Sequence, residues 1–167
     1  SRKLGPNEGY VAAEYGTNAY IRGSAGIGIS HGKGTTTLAV NQEQSTGFDI
    51  YNGAESENDK DGYDRFGVTL KGEQGLSDAF VAQWNLNYET GSFQFDDIYG
   101  IGAADETQYS NFHWQLASQY QSNNYTSRIS YAHVRDDNDN YRGDNPSVAI
   151  QSFITTRDQV NWLNQLK

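Results

Sequence analysis

The chain has 167 residues and a formal net charge of -9, is 35% hydrophobic and contains no cysteine, which suits one domain and excludes both a disulfide scaffold and a thiolate metal site. The acidic balance excludes nucleic acid as a partner, because phosphate binding needs clustered Lys and Arg, and makes cations the expected ligands. No apolar run approaches the roughly 20 residues of a membrane-spanning helix, yet 12 Tyr, 7 Phe and 3 Trp are more rings than a disordered chain carries.

Residues 8 to 15 open the chain with a weak period-two pattern. Ile21 to Ile29 repeats it with Arg22, Ser24, Gly26 and Gly28 between, followed by Thr36, Leu38 and Val40. Phe66, Val68 and Leu70 then alternate with Arg65, Thr69 and Lys71. The clearest element is Phe80, Ala82, Trp84, Leu86 and Tyr88 against Val81, Gln83, Asn85, Asn87 and Glu89: one face apolar, the other largely carboxamide. Phe112, Trp114, Leu116 and Tyr120 alternate with His113, Gln115 and Gln119, and shorter copies carry Ile129 and Tyr131, then Val160 and Trp162. This periodicity predicts an all-β chain of about eight antiparallel strands. Residues 1–7 are expected to be a linker or a tag remnant ahead of a single β-segment.

The connections alternate in length. Brief turns are expected at His31-Gly32-Lys33-Gly34, Gly75-Leu76-Ser77-Asp78 and Ser122-Asn123-Asn124, all at one edge. Long loops at about residues 46 to 62, 96 to 109 and 136 to 149 must emerge at the opposite edge. Short turns on one side and long loops on the other are the pattern of an outer-membrane barrel. A soluble β-sandwich also alternates, but its core favours Val, Ile and Leu. Here the apolar face is aromatic and the other face is rich in Gln, Asn, Ser, Thr and Gly, which suits a lipid-facing wall around a polar lumen.

Most of the 21 acidic residues lie in or beside the long loops: Asp49, Glu55, Glu57, Asp59, Asp61 and Asp64; Asp96, Asp97, Asp105 and Glu106; Asp136, Asp137, Asp139 and Asp144. Hairpin order gathers them on one rim, where like charges repel and a cation relieves the cost. Calcium fits, since it takes 6 to 8 oxygen ligands in flexible geometry. Glu57-Asn58-Asp59-Lys60-Asp61-Gly62 resembles the opening of an EF-hand loop, but Val68 stands where the closing Glu belongs. The rim is therefore expected to build a cage from two loops, with Asp49, the Asp59/Asp61 pair and an acidic group of the next loop; simple solvation of an exposed rim is the alternative. His31, His113 and His133 are scattered over a turn and two strands, and no acid–base pair stands out on the polar face, so no enzyme is expected.

These loops resemble the TonB-dependent outer-membrane transporters, in their cobalamin-transporting branch. The resemblance runs from Gly9-Tyr10 to about Trp162 and rests most on Gly47-Phe48-Asp49, Asn58-Asp59-Lys60-Asp61-Gly62-Tyr63, Phe95-Asp96-Asp97 and Asp105. It implies a bacterial outer-membrane location, contact with outer-membrane lipid, and a place among the first eight strands of a 22-stranded barrel. It also implies calcium bound by Asp49, Asp59, Asp61, Asp96 and Asp105, with Asp97 as an additional ligand, ordering loops that help hold cobalamin or a similar large ligand. Phe95 departs from the aromatic hydroxyl expected there. The plug domain and the segment that engages TonB have no counterpart in this sequence. The expectation is a transporter portion, with a complete small eight-stranded barrel serving as anchor, adhesin or lipid-modifying enzyme as the alternative.

Overall fold

A computed structural model describes residues 4–5, 7–49, 60–96, 105–143 and 147–166. The strands are β1 (Gly9–Tyr15), β2 (Ile21–His31), β3 (Gly34–Phe48), β4 (Asp61–Gly75), β5 (Phe80–Phe95), β6 (Asp105–Gln121), β7 (Tyr125–Tyr141) and β8 (Gln151–Leu166). They form one antiparallel sheet in sequence order. The eight expected strands and the three brief turns are all present. No helix among the described residues is long and apolar enough to cross a membrane, which says nothing of crossing by strands.

Two expectations need correction. The strands run further toward the long loops than alternation of apolar residues reveals, so Asp136, Asp137 and Asp139 belong to β7 rather than to a loop. Ladder hydrogen bonds do not depend on hydropathy, so a strand that is polar on both faces is invisible to a pattern search. In addition, the complete small barrel is not formed. Among the described residues β1 pairs only with β2 and β8 only with β7, so the sheet is open at both edges. The sandwich alternative fails too, because the described residues form no second sheet.

The two faces differ in the opposite sense to a water-soluble barrel. Register places Leu38, Leu70, Leu86 and Trp114 in one row on the apolar face, and that face is open: Val11 is 86% exposed, Leu116 55% and Trp162 70%. Every buried side chain of a described non-glycine residue lies on the other face: Asp61, Asp105, Thr107, Ala117, Ser130 and Ala132. The sheet curls around that polar side. Thr35 and Thr37 of β3, Lys71 of β4, Gln83 and Asn85 of β5, Gln115 of β6 and Arg128 of β7 line a single cavity of about 340 Å³. Arg128 Nη2 reaches across β6 to donate to Gln83 Oε1 at 3.2 Å. The concave face is polar and the convex face apolar, and among the described residues the buried apolar side chains are only Ala117 and Ala132, too little for a core driven together by water.

The convex apolar band also runs obliquely to the strands. On β2 it reaches up to Ile21, whose row continues through Gln44, Asp64, Ser92, Gln108 and Asp139 to Ser152 on β8. Ile154 apart, the band on β8 begins at Val160, eight residues below Ser152. Eight residues are about 27 Å of strand, crossed over six strand spacings of roughly 29 Å in total, so the strands tilt by about 40° to the band. Transmembrane barrels tilt their strands by roughly 35–45°.

Candidate functional site

The expected metal ligands sit at the ends of strands, on the edge from which the long connections leave. Asp49 follows the last residue of β3 and Asp61 is the first of β4; Asp96 follows β5 and Asp105 is the first of β6. Register brings them together only in pairs, Asp49 near Asp61 and Asp96 near Asp105: Phe48 opposes Asp61 across the β3–β4 ladder, and Phe95 opposes Asp105 across β5–β6. Asp59 and Asp97, together with Glu55, Glu57 and Asp144, lie outside the described residues.

Backbone detail fixes the β3 side of this rim. The β3–β4 register shifts between Ser45 and Phe48, a bulge that re-aims the strand end. Gly47 sits at φ +64°, and a Cβ there would collide with the Asp61 backbone carbonyl. The Gly62 amide donates to Gln94 Oε1 at 3.1 Å, tying the start of β4 to the end of β5.

The carboxylates are unusually enclosed for a strand rim. Asp105 is only 3% exposed and Asp61 9%, and both engage a neighbouring group, as does Asp96. Asp49 Oδ1 is buried and has no hydrogen-bond partner among the described residues. Removing carboxylates from water is costly unless a cation or donors replace the lost hydration. A calcium ion would supply that compensation through oxygen ligands alone, and the buried acceptor on Asp49 is the feature that would suit it. Among the described residues no group of three or more His, Asp or Glu is placed to hold a metal ion.

Below the rim on the concave face lies a network that period-two reading did not single out. Glu14, Arg22, Glu43 and Arg65 occupy one row on β1 to β4 and alternate in charge. Arg65 Nη2 donates to Glu43 Oε2 at 2.9 Å, Arg22 approaches the same oxygen at 3.7 Å, and Tyr63 Oη donates to Glu43 Oε1 at 2.9 Å. The signal was available only through register, since successive members of the row are 8, 21 and 22 positions apart. The sequence matches no protein-family profile and no curated protein.

Proposed function

We propose that this chain forms part of the wall of a bacterial outer-membrane barrel of the TonB-dependent type, taking up cobalamin or a similar large ligand past calcium-ordered extracellular loops. The single observation that carries the reading is the inverted sheet: a convex face open and apolar, a concave face polar, with every buried described non-glycine side chain on the concave side. Such a face in water would be an apolar patch far beyond what soluble monomers tolerate; against lipid it costs nothing. Strands of 15 to 17 residues from β3 to β8 exceed the roughly 9 to 11 residues that cross a bilayer, so their polar ends project on the loop side and carry the acidic rim outside the membrane. On this reading the chain performs no covalent chemistry. Engagement of TonB belongs to the plug region of the parent.

All three tryptophans, Trp84, Trp114 and Trp162, lie on the convex face. With the chain reconstituted in bilayers, lipids brominated on their acyl chains are expected to quench most of the tryptophan emission, while aqueous acrylamide quenches little. Emission that responds to acrylamide and ignores the bromolipid would overturn the membrane placement. For the rim, calcium titration is expected to protect the segments around Asp49 and Asp96 from proteolysis. Asp61→Ala should weaken that response by about tenfold or more, and an unchanged titration would sink the calcium assignment.

A further inference from the structure

This inference rests on the reading just given, in which the concave face lines a lumen and its rim meets the incoming ligand. Most of that face is carboxamide, hydroxyl and charge; Phe153 and Leu163 stand apart on β8, and one cluster of rings gathers near the rim. Tyr63 of β4 opposes Phe93 of β5 in register. The Phe93 ring lies 6.5 Å from that of Tyr109 on β6 and 6.2 Å from that of Phe95, centroid to centroid. Phe93 stays 45% exposed and Tyr63 36%. Open rings on a wetted wall cost free energy, which the contacts of Phe93 with Tyr109 and Phe95 offset only in part.

The hydroxyls are committed elsewhere, which leaves ring faces as what the patch offers. Tyr63 Oη donates to Glu43 at 2.9 Å and Tyr109 Oη to Glu89 at 3.4 Å. Gly91 opposes Tyr109 in register, and a Cβ there would strike the Asp64 backbone carbonyl and lie 3.0 Å from both the Arg65 Cα and the Tyr109 hydroxyl, so the missing side chain first lets the β4 backbone approach and also leaves room for Tyr109. Arg65 and Arg22 offset Glu43, and on the calcium reading the Asp61 and Asp105 rim is neutralised as well, which leaves Glu89, beside the Tyr109 hydroxyl, as the uncompensated charge at the patch. Such a field repels anions and favours neutral or cationic molecules, and cations also gain from aromatic faces.

We infer that Tyr63, Phe93, Phe95 and Tyr109 form a stacking subsite just inside the rim for a neutral or cationic ligand with an extended planar or apolar face. The test uses the full chain in lipid nanodiscs with three probes: cyanocobalamin, which is neutral overall, the planar cation rhodamine 6G, and a trianionic ferric tris-catecholate. Saturable binding of at least one of the first two is expected, with the trianion binding more weakly. Phe93→Ala should weaken the bound probe about fivefold to tenfold, Phe93→Leu less, and the convex-face control Phe80→Ala not at all, with calcium titration unchanged throughout. Binding equal to wild type in Phe93→Ala, tighter binding of the trianion, or no saturable binding of either other probe would each overturn the subsite. None of these results alters bromolipid quenching, so failure of the subsite is distinguishable from failure of the membrane reading.

Discussion

Gly47 and Gly72 act through what a side chain would displace. At Gly47 the backbone is in the left-handed region, φ +64°, which costs an L-residue about 1–2 kcal/mol. The added Cβ would also strike the Asp61 carbonyl. Gly47→Ala is therefore expected to lower stability by at least that amount and to push the start of β4 away from Asp49, weakening calcium protection of the rim without touching a carboxylate. Denaturant titration in micelles and the proteolysis assay read the two effects separately. Gly72 is different: its backbone is ordinary, but Trp84 lies across it to stack on His31, rings 6.2 Å apart and 17° from parallel. The tryptophan thereby covers convex surface on β4 that would otherwise carry its own apolar side chain.

At the scale of the strand, the proposed membrane placement has alternate residues serve different solvents. Leu116 and Gln115 are adjacent on β6, one convex and 55% exposed, the other lining the concave cavity. In a soluble protein an arginine at so open a position as Leu116 would be harmless. Against lipid, Leu116→Arg is expected to cost about 2–4 kcal/mol, whereas Gln115→Arg, facing a polar lumen, should cost much less. Folding yield into bilayers compared between the two variants checks the assignment, and equal yields would contradict it. The Glu14, Arg22, Glu43 and Arg65 ladder works at the same scale. It repeats opposite charge across four strands in one row, and a one-residue slip of any of those strands would carry that strand's charge to the convex face. The ladder therefore adds to the register that the hydrophobic pattern already specifies.

For the whole molecule, the oblique band and the two unpaired edges belong together. On the proposed membrane placement, strands inclined by about 40° to the apolar band suit a sheet on its way round a cylinder, and the edges at β1 and β8, open among the described residues, offer backbone groups that further strands would satisfy. Polarised infrared spectroscopy of the chain in oriented bilayers is expected to return a mean strand tilt of about 40°. Strands lying flat in the membrane plane would contradict the placement.

The sequence by itself determined the class of element, the strand count and the alternation of turn lengths, because side-chain direction in a strand has a period of two and needs no partner to be read. It also placed Asp49, Asp61, Asp96 and Asp105 at one edge by hairpin order alone, although their mutual arrangement stayed illegible. Where the strands end was hidden, since Asp136 to Asp139 carry no apolar rhythm while their backbone pairs all the same. Only the tertiary structure decided which face is inside. Curvature comes from the accumulated twist and stagger of the whole sheet, and it is curvature that encloses Asp105 and leaves Leu116 open. The rings at Phe93 and Tyr109 meet for the same reason: cross-strand neighbours are set by register, a property of pairs of strands that no single strand contains.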